Sequence, residues 1–422
     1  MTSTAGHKNP YLIPFILVTS LFFLWAFIHN LNPILIPHLK KACQLSDTQS
    51  AFIDSAVYIA YFLMALPAGF VMKKYGYKKG IVFGLIVYAL GAFLFIPAAS
   101  TRIYSFFLVA LFIVAGGAAF LETAANPYIT VLGERETSEQ RLNFAQSFNG
   151  VGAFVAPIVG GRFILSGIEH SKEQLASMPP EQLAAYLNSE ASNVKIPYLV
   201  IGLTVFIVAV LFIFTKLPEV KESQDVVSMK GSGNIFSHKH LLWGVIAQFF
   251  YVGAQVGVGS FFVRFSRYTL DLPEKEAAYK WGFIAMVGFM VGRFFGTFLM
   301  KYIKPQRLLL LYSLINIGLL FAAVYTSGSF AVWSVMLIPF FMSIMFPTIF
   351  ALGVKDLGED TKLGSSLLIM SIVGGAIIPI FMGLVSDANN GNIQLAYLVP
   401  IICFVVTAWY GWKGYRHKFI AA

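Results

Sequence analysis

Residues 121–133 read Leu121-Glu122-Thr-Ala-Ala-Asn126-Pro127-Tyr-Ile-Thr-Val-Leu-Gly133, inside an apolar stretch that runs roughly over 103–132. A carboxylate at such a depth in a bilayer costs about 2.5–3.5 kcal/mol on insertion scales, so an acid retained there faces a cavity or a partner rather than lipid. Asn126 follows Glu122 by one helical turn and shares its face. Pro127 removes a helix hydrogen bond and bends the helix there. The stretch therefore turns a protonatable group, an amide and a bend toward an interior. A buried acid bonded to a neighbouring helix for structure alone is the competing reading.

The same pattern returns further down the chain. Asn126-Pro-Tyr-Ile-Thr-Val-Leu-Gly133 is matched by Phe346-Pro-Thr-Ile-Phe-Ala-Leu-Gly353. Gly69-Phe-Val-Met-Lys-Lys-Tyr-Gly-Tyr-Lys-Lys79 is matched by Gly296-Thr-Phe-Leu-Met-Lys-Tyr-Ile-Lys-Pro-Gln-Arg307, and Pro157 by Pro379. Corresponding positions lie about 220–227 residues apart, and two parallel repeats of that kind place a binding site near the bilayer midplane between them. Three matches in one order, with loops of one sign, argue against chance.

Composition sets the class. Of 422 residues 57% are hydrophobic and 12% charged, against about 25% charged in soluble domains. The mean hydropathy is +0.73. The 36 Gly and 41 Phe suit close helix approach and membrane interfaces. A net charge of +10 is then a matter of basic loops, not of nucleic-acid binding. Cys43 and Cys403 stand near opposite ends of the chain, and no disulfide framework or metal-ligand spacing is present. No nucleophile–base pair or phosphate loop is found either, so an enzyme is not expected. The first apolar run is too long for the core of a cleaved leader.

Apolar windows predict twelve spans, at roughly 11–38, 50–72, 80–99, 103–132, 141–166, 196–217, 241–265, 278–300, 306–327, 330–354, 363–386 and 394–413. The fold class is an all-α membrane protein of two six-helix parallel pseudo-repeats. The expected domains are 1–217 and 241–422, joined by a charged linker over 218–240. Residues 167–195 form a polar connector containing Met178-Pro-Pro-Glu181, with room for a short amphipathic helix. Lys73, Lys74, Lys78, Lys79, Arg135, Arg141, Lys301, Lys304, Arg307, Lys413 and Arg416 all fall on one side. That bias predicts both termini on the cytoplasmic side.

Polar residues within the spans are the binding candidates. Trp25-Ala-Phe-Ile-His29-Asn30-Leu-Asn32-Pro33 suggests a broken helix lining a cavity. Asn30 and Asn32 offer amides for sugar hydroxyls, and Trp25 offers an apolar platform for a pyranose face. Interhelical bonding by the amides is the alternative. His29 titrates near neutral pH or simply packs. Asn143, Gln146 and Asn149 share a face in span five, as do Gln248, Tyr251 and Gln255 in span seven. Those faces suit a neutral polyol and not an anion. Arg293, within span eight, binds substrate, pairs with an acid, or anchors on backbone carbonyls. Asp54 is either a solvated interfacial acid or a second proton carrier.

The inside loop from Gly69 to Lys79 resembles the Gly-x-x-x-Asp-x-x-Gly-x-basic-basic motif of the major facilitator superfamily. Lys73 occupies the acidic position, a departure that bears against the acid-to-helix-end latch of that motif, while the basic pair Lys78 and Lys79 serves gating or topology. Phe22-Phe-Leu-Trp25, Leu121-Glu122-Thr-Ala-Ala-Asn126-Pro127, the run Ala247–Gln255, Gly292-Arg-Phe-Phe-Gly-Thr297, Pro347-Thr-Ile-Phe350 and Asp360-Thr-Lys-Leu-Gly-Ser-Ser366 carry a closer resemblance. They are similar to the fucose–galactose–glucose–proton symporter family, and specifically to its fucose branch, over essentially the whole length. The resemblance implies alternating access and uptake of a sugar, L-fucose first, with a proton across the bacterial inner membrane. The proton is then the coupling ion, with no other cofactor, and the protein acts as a monomer in the lipid bilayer. Glu122 matches the family's intramembrane glutamate, assigned to proton coupling and sugar binding. The glucose/galactose branch usually carries Gln there. Asn30 and Gln146 match sugar-site positions. The family's first-span Asn-Leu-Asn-Asp reads Asn30-Leu-Asn32-Pro33 here. Either Glu122 carries the proton alone, or Asp54 or His29 takes the second role, or the protein is an uncoupled facilitator. Glucose, galactose and other hexoses remain alternative substrates.

Overall fold

The computed structural model describes residues 12–45, 47–164, 170, 172–218 and 235–416; the side chains of Asn32, Pro33 and Asp54 lie outside that description. Every regular element among the described residues is helical. Among the described residues eleven helices are long and apolar enough to cross a membrane. They are α1 (Leu12–Ile36), α2 (Asp47–Tyr75), α3 (Tyr77–Thr101), α4 (Tyr104–Val131), α6 (Lys195–Phe214), α7 (Lys239–Leu270), α8 (Glu276–Leu299), α9 (Pro305–Tyr325), α10 (Gly328–Val354), α11 (Gly358–Ala388) and α12 (Ile393–Gly414). The twelfth, α5 (Ser138–Phe163), has the length, about 39 Å at 1.5 Å per residue, but not the apolarity. It is the helix in which Arg141, Asn143, Gln146 and Asn149 replace lipid-like residues, and its polar face is buried rather than exposed. The polar connector holds two short helices, Lys172–Ser177 and Pro180–Ser192, with Pro180 in the first turn of the second, where its missing N–H costs nothing. Of the expected linker, residues 219–234 lie outside the description.

Local chemistry sets the breaks. The α1 helix breaks at Asn30–Leu31, and Pro33 lies in the first turn of the segment Asn32–Ala42 that follows. The expected broken helix is therefore present. Gly76 takes φ +86° between Tyr75 and Tyr77, which lets α2 and α3 meet in a one-residue turn. The α4 helix runs through Pro127. A proline there cannot donate to the Thr123 carbonyl one turn earlier. Ser365 Oγ, from α11, supplies the missing bond at 2.7 Å. In α10 the helix loosens at Ser343–Ile344, one turn before Pro347, and the freed Ser343 carbonyl accepts from Arg293 Nε at 3.0 Å.

The two sets of six helices meet through α2 with α11 and through α5 with α8. These are reciprocal pairs if α2 corresponds to α8 and α5 to α11, as a two-fold between repeats requires. Most of the joining contacts lie toward the end that carries Lys73, Lys74, Lys301 and Lys304, called here the basic end. Asn143 Nδ2 donates to Thr348 Oγ1 at 3.1 Å, and Gln140 Nε2 to the Thr297 carbonyl at 3.3 Å. Lys355 Nζ lies 2.6 Å from Glu139 Oε1, and Arg135 pairs with Asp356. A Cβ on Gly69 would fall 2.0 Å from Ser366 Oγ, so the absence of a side chain sets the approach of α2 to α11. Nearer midspan the Phe154 and Phe283 rings meet at 6.2 Å.

Within the first six helices Gly117 brings α4 against α3. A Cβ there would lie 2.6 Å from Tyr88 N and 2.7 Å from its Cα. That approach lays Tyr88 beside α4 just ahead of Glu122. Gly117→Ala must push backbone apart and is expected to cost about 1–3 kcal/mol. Gly318→Ala, where nothing lies within 4 Å of the new carbon, is expected to leave stability unchanged. Apparent melting temperatures of the two variants in detergent check this.

Candidate functional site

Glu122 retains 9% of its surface, and Oε1 accepts from the Tyr61 hydroxyl of α2 at 2.7 Å. From the Glu122 main-chain carbonyl a polar chain crosses the molecule. Asn126 Nδ2 donates to the Glu122 carbonyl at 2.9 Å, the i to i−4 bond that an amide one turn on can make. Asn126 Oδ1 accepts from Gln146 Nε2 of α5 at 3.0 Å. Gln146 in turn meets Arg293 of α8: Nη1 donates to its carbonyl and, at 3.2 Å, to its Oε1. The same nitrogen donates to Asn149 Oδ1 at 2.9 Å. Phe289 lies under the guanidinium at 4.5 Å. Glu122, Asn126, Gln146 and Arg293 are all buried, and Arg293 lies within electrostatic reach of Glu122.

Four expected residues, Glu122, Asn126, Gln146 and Asn149, are thus brought together. The others are placed differently. Asn30 Nδ2 donates to the Ala26 carbonyl at 2.7 Å and caps the break in its own helix. Trp25 is 1% exposed, packed on Phe22 with ring centroids 4.3 Å apart. It presents no open face to a pyranose in this arrangement. Tyr251 is buried and donates to the Met342 carbonyl at 3.0 Å, and both amide atoms of Gln248 are buried without a partner among the described residues. Of the expected α7 face only Gln255 is half-buried rather than closed off. His29 is exposed. Asn32 and Asp54 fall outside the described side chains. Lys78 donates to the Ile213 carbonyl at 2.8 Å, and Lys79 lies 5.6 Å over the Tyr75 ring.

One participant, Tyr61, is not foreseen by the sequence. Tyr61 escaped because its partner is 61 positions away on another helix; the only local signal is Tyr58 and Tyr61 on one face of α2. Arg293 is expected within span eight, with three roles open. The structure assigns it to backbone carbonyls and amides from both sets of helices. What the arrangement offers chemically is a buried carboxylate held by a tyrosine, one helical turn from neutral amides and a fixed cation, with no metal-ligand cluster among the described residues.

Comparison with known proteins agrees with this architecture. The sequence pattern of the Major Facilitator Superfamily matches residues 16–366. The L-fucose-proton symporter of Escherichia coli is 44% identical over 410 residues, covering 95% of this chain and 93% of that protein. A glucose/galactose transporter of Brucella abortus is 45% identical over 419 residues, covering 98% and 96%. The crystal structure of the transporter FucP in its outward conformation superposes with a TM-score of 0.88 at 43% identity, covering 97% of this chain and all of that one. Paired proline-broken helices, a reciprocal interface between two sets of six, and matches of this extent make the chain a member of the Major Facilitator Superfamily.

Proposed function

We propose that the protein is a secondary transporter that takes up a sugar together with a proton, with L-fucose as the substrate. The observation that carries this is Glu122: a buried carboxylate, hydrogen-bonded by Tyr61, one helical turn before Asn126, from which a polar chain runs through both sets of helices. Relatives named as L-fucose and as glucose/galactose transporters are equally similar, so overall identity does not choose the sugar. Glu122 favours fucose, since the resemblance places Gln there in the glucose/galactose branch. Bundles 1–217 and 241–422 rock about the site, joined by 218–240, in the bacterial inner membrane with both termini cytoplasmic. The sugar meets Glu122, Gln146, Asn149 and Gln255, with Trp25, Gln248 and Tyr251 as packing behind them.

Protonated Glu122 can donate to a sugar hydroxyl while still accepting from Tyr61. Ionised, it is a charge in a water-poor place that looks to Tyr61 and to Arg293 across the interface. The proton therefore changes the attraction between the bundles as well as the affinity for sugar. Coupling follows because the two access states bind proton and sugar differently, and only differential affinity moves an equilibrium. Contacts concentrated at the basic end, and likeness to a relative solved in an outward conformation, support reading this arrangement as closed toward the cytoplasm.

Two measurements test the reading. In liposomes L-fucose, unlike galactose or glucose, is expected to drive alkalinisation, and Glu122→Gln to abolish that signal while keeping sugar counterflow. Proton uptake that survives in Glu122→Gln overturns the role of Glu122; wild-type exchange without any proton signal makes the protein a facilitator. Separately, Lys355→Glu removes one of the two ion pairs that, among the described residues, join the bundles at the basic end, so fewer molecules hold the outward state. Apparent sugar affinity is then expected to weaken by about tenfold, in proportion to the competent fraction, and Glu139→Lys in the same chain to recover it. Tryptophan fluorescence titration reads both.

A further inference from the structure

A small cavity of about 20 Å³ lies within the first six helices, lined by His29, Tyr61, Tyr88, Ala115, Ala118 and Tyr198 among others. Its volume is enough for one water molecule, which needs two to four polar partners to be held there. The lining supplies them. Tyr88 Oη is buried and has no hydrogen-bond partner among the described residues. Tyr61 spends its own proton on Glu122 Oε1, which leaves its oxygen free to accept. His29 stands edge-on to Tyr61 with ring centroids 6.2 Å apart. Ala118 precedes Glu122 by one turn of α4, and Tyr61, which lines the cavity, bonds the carboxylate itself.

We propose that this cavity holds a water that completes a proton relay from His29 to Glu122. His29 is the exposed end of the path and Glu122 the buried end. One proton moves by three concerted transfers. The His29 imidazolium gives a proton to the water, and the water gives one of its own to Tyr61 Oη. Tyr61 passes its hydroxyl proton to Glu122 Oε1. Each intermediate oxygen regains what it gives up, so the net change is neutral His29 and protonated Glu122. Tyr88 donates to or accepts from the water and fixes its position without joining the transfer. The relay rests on Glu122 as the proton-coupling acid. It also gives the chain a titratable second member where Pro33 leaves the first span without an acid.

Tyr88→Phe removes the anchor of the water and nothing else, since the ring is kept. The test compares two rates in liposomes: L-fucose-driven alkalinisation, which requires net proton entry, and counterflow, in which the proton stays bound. The ratio of the first rate to the second is expected to fall by about tenfold in Tyr88→Phe, with counterflow kept within about twofold, as for loss of a positioned proton-transfer partner. An unchanged ratio overturns the relay, and so does an equal fall in both rates, which marks a purely structural tyrosine. Ala115→Val fills the cavity while keeping every hydroxyl, and it is expected to lower the ratio in the same way. If Tyr88→Phe does not fold, Ala115→Val alone decides. A wild type with counterflow and no alkalinisation fails the symport reading instead, and the two failures are distinct.

Discussion

The Arg293 guanidinium is the interaction on which the arrangement of the two bundles turns. A buried cation is tolerated only when its donors are met. Arg293 reaches the Ser343 carbonyl on its own side and Gln146 and Asn149 on the other. Gln146 is thereby oriented so that its amide nitrogen addresses Asn126, which lies one turn from Glu122. The position of one charge in the second bundle thus fixes the amides around an acid in the first. Phe289 beneath the guanidinium closes off its remaining face.

Prolines make that crossing available. In a regular helix the carbonyls of Thr123 and Ser343 would be consumed within the helix. Pro127 and Pro347 release them, and each finds a donor on another helix: Ser365 in one case, Arg293 in the other. A backbone defect in the membrane is permitted only where protein re-satisfies it, so the two prolines also mark where helices must stay in contact. Glycine works alongside them. Gly69 and Gly117 remove the carbon that would hold α2 from α11 and α4 from α3, and the second approach sets Tyr88 beside the Glu122 turn.

Much of the site was readable residue by residue. Glu122, Asn126, Gln146 and Asn149 stood out because polar groups in apolar windows are costly, and because helical spacing puts them on shared faces. The break after His29 followed from Pro33. At α7 the same spacing puts Gln248 and Tyr251 on a face with Gln255, and in this arrangement both are buried, with Tyr251 bonded to α10. Periodicity fixes which residues face together, but not what that face meets. Span five shows the converse, since its apolarity is below that of the other eleven and yet its amides cluster at the interface.

By itself, then, the amino-acid order determined the all-helical class, the twelve crossings, the repeat and the buried acid. Hydropathy, proline chemistry and helical periodicity are local properties that need no knowledge of neighbours. Only the tertiary structure decided that Tyr61 holds Glu122, that Arg293 takes carbonyls rather than an acid, and that His29, Tyr61 and Tyr88 surround one water-sized space. Those pairings join helices tens to hundreds of residues apart. They depend on how far each helix rotates and how closely it approaches, which is set by small contacts such as that of Gly117 with Tyr88 and not by any single segment.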